Sequence, residues 1–194
     1  KIGALLHGNA PSNGSPTSPA GAGYDLAALD ERIGRDHVSS FVTRLNLPPR
    51  EFARQNNAVQ RLAASKRLGI PVTISSDPRH HFQAVLGASN AAGGFTQWPE
   101  TLGLAALRDA ATVRRFGDQV RQEYRAVGIQ MALFPQVDVA SEPRWPRLTG
   151  TFGADPVLVS RLGGAYVVGL QGGRHGVTRG GVAAVAKHWV GYGA

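Results

Sequence analysis

Val72-Thr73-Ile74-Ser75-Ser76-Asp77-Pro78-Arg79-His80 is the stretch on which the fold turns. Residues 72–76 read as a β-strand, Asp77 ends it, and Pro78 turns the chain away, leaving a carboxylate at the strand's mouth. Two further strings share the pattern. Glu142-Pro143-Arg144-Trp145 follows the apolar run 129–139, and Lys187-His188 sits inside the run 182–190. Strands that alternate with helices and carry polar residues at their carboxyl ends are the sequence picture of an α/β barrel, whose chemistry lies on that face.

Outward from this strand the periodicity changes. Residues 51–68 place Phe52, Val59, Leu62 and Ala63 at helical spacing, and Gly69 follows where a left-handed cap is wanted. Residues 109–127 carry Val113, Phe116, Val120, Tyr124 and Val127 in steps of three or four, and Gly128 ends the series. Asp155-Pro156 pairs a capping residue with the favoured first helical position, opening a helix to about residue 170. Residues 25–33 form a short helix closed by Gly34, and residues 38–44 a first strand. Residues 1–7 read as the tail of a helix, and residues 8–23 and 171–181 as loops rich in glycine and small polar residues.

The result is four strands, at 38–44, 72–76, 129–139 and 182–190, with three intervening helices. That order favours a parallel sheet, half of an eight-stranded (β/α)8 TIM-like barrel. The helix-to-strand joints at Gly69 and Gly128 are short, whereas the stretches after Asp77 and Asp138 are long, so elaborated loops fall on the carboxyl-end face.

The chain has 194 residues, against about 250 for a complete barrel. No run approaches the roughly 20 apolar residues of a membrane span, so no membrane partner is expected. Lys1 in place of Met points to processing or trimming ahead of it. Without cysteine there are no disulfides, zinc-thiolate sites or cysteine nucleophiles. The net charge of +8 would suit a nucleic acid, but the arginines are interleaved with Asp and Glu along helices and no aromatic-basic run offers a stacking surface. Nucleic acid is therefore not expected as a partner.

Asp77 either accepts hydrogen bonds from neutral hydroxyls, as sugar recognition requires, or caps a turn. Arg144 offers a planar fork of donors beside the Trp145 face, or pairs structurally with Glu142 or Asp138. Lys187 interrupts an apolar run, where an unpaired ammonium is costly, so it needs an acceptor such as Asp77 or a ligand. His188 points to the other face if the strand is regular, and joins the same site only if the strand ends or bends there. His80 and His81 are adjacent rather than spaced as a helical metal pair, and the glycine pairs lack a phosphate-loop ending. No metal or cofactor is expected. Ser75 and Ser76 lack a nucleophile elbow.

Taken together these strings resemble glycoside hydrolase family 3, in particular bacterial β-glucosidases. The resemblance rests on Asp77-Pro78-Arg79-His80 with Gly69-Ile70-Pro71-Val72 before it, Pro143-Arg144-Trp145, Gly150-Thr151-Phe152-Gly153, and Lys187-His188 with Gly191-Tyr192-Gly193. It implies the amino-terminal portion of a barrel over residues 1–194. In it Asp77, Arg144, Lys187 and His188 would hold the non-reducing-end sugar of a β-linked oligosaccharide or glucoside. Trp189-Val190-Gly191-Tyr192-Gly193 departs from the Phe-Pro-Gly-His-Gly of the N-acetylglucosaminidase branch. The resemblance also implies a Ser-Asp-Trp nucleophile on a later strand and a Glu acid/base from a second domain, both beyond Ala194, so no catalytic residue is expected in these 194. A periplasmic or secreted bacterial location follows from the same resemblance. The alternative is a non-catalytic carbohydrate-binding or scaffold fragment.

Overall fold

A computed structural model describes residues 6–15, 18–85, 89–189 and 191–193, with side chains 14, 15 and 18–21 left aside. Five strands form one parallel sheet. They are β1 (Gly8–Asn9), β4 (Ser40–Val42), β5 (Thr73–Ser76), β6 (Met131–Ala132) and β7 (Ala183–Ala184), in that spatial order. The register runs Phe41 opposite Gly8 and Ile74, Ser75 opposite Met131, and Ala132 opposite Ala184. The intervening helices are α1 (Leu26–Gly34), α2 (Pro49–Ala64), α3 (Thr101–Ala106), α4 (Ala110–Val127) and α5 (Pro156–Gln171). Strand, helix and parallel strand repeat as the spacing predicts.

The helices begin where capping chemistry puts them. Asp25 accepts from Ala28 N, Asp109 from Ala111 N and Thr112 N, and Asp155 from Val157 N and Leu158 N, so each supplies acceptors for amides that have no partner within the helix. Gly128 ends α4 at φ 83°, a left-handed conformation that glycine adopts without a Cβ clash. All five apolar positions predicted on α4 are buried, and Phe52, Val59 and Ala63 of α2 join the same core. Helices α4 and α5 approach closely at Gly117 and Gly169. A Cβ on Gly169 would lie 2.8 Å from Asp118 N, and one on Gly117 2.7 Å from Tyr166 O.

Five expectations are corrected, the first being the helix read over 51–68, which ends at Ala64 with Ser65 as its cap, short of Gly69. The sheet has five strands here because Gly8–Asn9, read as loop, pairs with β4 through its backbone, which needs no apolar side chains. The rest of the expected loop is an antiparallel hairpin of β2 (Ser12–Ser15) and β3 (Ser18–Tyr24). The run 129–139 is strand only at Met131–Ala132; Pro135 has no N–H to continue a ladder, and the chain resumes contact as a single bridge between Gln136 and Lys187. The run 182–190 is likewise strand only at Ala183–Ala184, and Val190 lies outside the described residues. Helix α3 was not predicted, its six residues being too few to show a period. The helix tail expected at 1–7 falls mainly on residues 1–5, outside the described residues. Among the described residues no helix is long and apolar enough to cross a membrane.

Candidate active site at the carboxyl ends of the strands

The four strands from β4 to β7 each lead into chemistry. Arg44 lies two residues past β4, Asp77 directly follows β5, Asp138 comes after the Gln136 bridge beyond β6, and Lys187-His188 come after β7. Parallel pairing in register brings these strand ends to one end of the sheet.

Asp77 is the centre of the group. Its side chain is 5% exposed, with Lys187 Nζ 3.0 Å from Oδ1 and Arg44 Nη1 hydrogen-bonded to Oδ2. The main chain beneath it is braced. Tyr124 Oη donates to the Asp77 carbonyl at 2.8 Å, and Ser76 Oγ donates to the same oxygen at 2.9 Å. Arg79 Nε in turn donates to Ser76 Oγ at 2.7 Å, while its guanidinium stacks over Phe52 at 4.9 Å. Burial pushes the Arg79 pKa down and the Tyr124 pKa up. With a nearly buried carboxylate seated on this packed turn and two cations against it, the arrangement offers charged donors and unspent acceptor lone pairs side by side.

His188 belongs to a second, adjoining cluster. Its Nδ1–H donates to Asp138 Oδ2 at 2.8 Å, and Asp138 Oδ1 accepts from the backbone N–H of both His188 and Tyr192 at 3.1 Å. Burial works to raise the Asp138 pKa, but the hydrogen bonds from His188 and Tyr192 outweigh it and hold the carboxyl below its usual range. An Nδ1–H bond of this kind leaves Nε2 as the ring's free nitrogen for a ligand. Tyr192 packs on His188 at 4.8 Å and edge-on to Trp145 at 5.7 Å, with the Arg147 guanidinium over its ring.

The structure thus brings Asp77 and Lys187 together and seats His188 beside them on the same strand end. Arg144 is elsewhere: its side chain is 88% exposed and bonds Glu142 through N, Nε and Nη2 at 2.8–2.9 Å, the structural pairing that the sequence had left open. Sequence reasoning missed Arg44 and Asp138 as site residues. Both carried the signal that found Asp77, a charge at the carboxyl end of an apolar run. His80 and His81 serve structure. His80 Nε2 bonds Glu123 at 3.0 Å, and His81 Nδ1 donates to the Pro99 carbonyl at 2.9 Å. Among the described residues no three His, Cys, Asp or Glu side chains gather to hold a metal ion.

Comparison with known proteins gives a consistent answer. Residues 23–194 match the family model described as the glycosyl hydrolase family 3 N terminal domain. The chain is 54% identical over 195 residues to the periplasmic beta-glucosidase/beta-xylosidase of Dickeya chrysanthemi, covering all of this chain and 30% of that protein. Among solved structures, a β-glucosidase from Erythrobacter marinus superposes with a TM-score of 0.77 at 27% identity, covering 99% of this chain and 24% of that one. A family 3 β-N-acetylglucosaminidase from Paenibacillus superposes with a TM-score of 0.76 at 26% identity, over 99% of this chain and 33% of that one. The chain therefore spans a third or less of the length of each.

Proposed function

Because the chain belongs to glycoside hydrolase family 3, as the N-terminal domain of that family, we propose that it is the sugar-holding part of a retaining β-glucosidase. The observation that carries this reading is the Asp77 carboxylate, nearly buried at a strand end and flanked by Lys187 and Arg44. A carboxylate has about four lone-pair positions, and two are taken by cations. The remaining two accept from sugar hydroxyls, Lys187 donates to the same ring, and His188 offers Nε2. Arg144 joins them when its loop turns from Glu142 toward the sugar.

Hydrolysis with retention takes a nucleophilic carboxylate and an acid/base carboxyl about 5 to 5.5 Å apart. No Ser-Asp-Trp string occurs in these 194 residues. The nucleophile and the acid/base come from segments of the polypeptide outside them, and residues 1–194 bind and orient the glycone. Glucosides and xylosides are the substrate candidates, both sugars standing in the Dickeya protein's name, and the same relative supports a periplasmic location.

The test is steady-state kinetics of the complete polypeptide on aryl β-glucosides and β-xylosides, wild type against Asp77→Ala. Hydroxyl contacts tighten as the sugar distorts toward the transition state, so the variant loses turnover as well as binding, about 3 kcal/mol in kcat/KM. Wild-type kinetics for Asp77→Ala reject the reading. Saturable glycoside binding without turnover by the complete polypeptide favours a non-catalytic carbohydrate-binding role.

A further inference from the structure

Arg44 is placed as no motif places it. It follows β4, one strand over from Asp77, and bonds the carboxylate oxygen that Lys187 does not. The two cations differ in exposure. The Lys187 side chain is 15% exposed and the Arg44 side chain 32%, against 5% for Asp77 itself. Arg44 is therefore the member of the trio that looks outward at the open face. Its guanidinium is also held in plane, with Nη1 bonded to Asp77 and Nε 3.3 Å from Asn9 Oδ1 at the end of β1. Among the described residues no acceptor is bonded to Nη2.

From this geometry we infer that Arg44 is a further sugar-contacting residue, which with Asp77 reads one hydroxyl of the glycone in both directions. The hydroxyl donates to the carboxylate of Asp77 and accepts from the free guanidinium N–H of Arg44. A carboxylate alone accepts from any O–H in reach, and a guanidinium alone donates to any acceptor. The two held together in a fixed plane favour a group that is donor and acceptor at once, which selects a hydroxyl over an ether oxygen, a fluorine or a hydrogen. The Asn9 contact matters because it fixes the plane of the fork before the sugar arrives, which reduces the ordering cost of binding. This inference rests on the sugar-holding role proposed for Asp77, and it adds a residue and a selectivity to that role.

The experiment uses the complete polypeptide and a panel of 4-nitrophenyl β-glucoside with its monodeoxy analogues. Arg44→Met lowers kcat/KM on the parent glucoside by about 30-fold, the worth of a charge-assisted hydrogen bond. On one monodeoxy analogue the same substitution costs less than about threefold, because the hydroxyl it reads is already gone. Arg44→Lys, which keeps the charge but not the planar fork, recovers part of the loss on the parent and leaves the analogue unchanged. If Arg44→Met is poorly folded by thermal melting, the Arg44→Lys profile across the panel decides the question alone. The inference is overturned by wild-type kinetics for both variants, or by an equal loss on every analogue, which makes Arg44 a brace for Asp77 and no more. Asp77→Asn, run in parallel, separates the two levels. A crippled Asp77→Asn with normal Arg44 variants removes only the role of Arg44, whereas normal kinetics for Asp77→Asn removes the sugar-holding reading beneath it.

Discussion

Lys187 Nζ stands 3.0 Å from Asp77 Oδ1, across 110 residues of sequence. The pair joins the end of β5 to the chain after β7, and so ties the site to the strand order of the parallel sheet. An ammonium that would be costly to leave unpaired in an apolar run finds its acceptor only because β6 lies between and sets the spacing.

Lys187→Met in the complete polypeptide leaves Asp77 with Arg44 as its one remaining cation. The expected outcome is a loss of about 2 kcal/mol in kcat/KM on an aryl β-glucoside. The melting temperature falls by less than in Asp77→Ala, which leaves two cations facing each other without a carboxylate. Unchanged kinetics in Lys187→Met would remove this residue from the proposed sugar site.

Acid stability separates two groups. Burial holds the His81 imidazole at about 4 instead of 6.5, so the unfolded chain binds the extra proton first and stability declines as the pH falls from 6.5 toward 4. Burial works to raise the Glu123 pKa, but hydrogen bonds from His80, Gln119 and Thr96 outweigh it and hold the carboxyl at about 2 against 4.5. Its contribution is complete above pH 4.5 and is lost as the pH falls toward 2. Glu123→Gln should therefore lower stability at pH 7 and flatten only the lower window. Denaturant titrations at a series of pH values measure this, and an unchanged slope below pH 4.5 counts against the assignment.

Gly169→Ala forces a methyl group against the α4 backbone, 2.8 Å from Asp118 N. Overpacking of this kind costs about 3 kcal/mol, since backbone cannot move aside as a flexible side chain does. Gly164→Ala on the same helix has no atom within 4 Å of its new Cβ and should be neutral or slightly stabilising. Equal melting temperatures for the two variants would show that α4 and α5 do not pack this closely in solution.

Residues 1–194 expressed alone should bind glycosides weakly and hydrolyse none, because the nucleophile and acid/base of the proposed mechanism lie outside them. Here β1 and β7 are the end strands of the sheet, and beside β7 Trp189 is 93% exposed and Tyr192 53%. Open edges and exposed aromatics promote self-association, so light scattering should report species larger than the monomer. A well-behaved monomer that turns over aryl glucosides at the rate of the complete polypeptide would contradict both statements.

The candidate site was half legible in this way. Asp77 and Lys187 were singled out from one dimension because each breaks an apolar run at a strand end, and the structure pairs them. Arg44 carries the same mark after Val42, but nothing local says that a charge after one strand will reach the carboxylate after the next. Arg144 lies in a string as distinctive as that of Asp77, yet in the structure it turns to Glu142, two residues away. Which of two nearby carboxylates an arginine chooses depends on loop conformation, and loops 77–100 and 133–155 are too long for turn chemistry to dictate.

By itself the sequence determined whatever depends on contacts within one helix turn or one strand. The apolar period of α4, the cap Asp155 ahead of Pro156, the left-handed Gly128 and the β, α order were all readable because capping and periodicity act over three or four residues. Only the tertiary structure decided what rests on backbone pairing between distant segments. Gly8–Asn9 has no side-chain signature of a strand and becomes one by pairing with β4, and the hairpin of β2 and β3, rich in glycine, serine and alanine, forms in the same way. The trio of Arg44, Asp77 and Lys187 is of this second kind. Its members are separated by 33 and 110 residues, and the register of parallel strands alone brings their charges together.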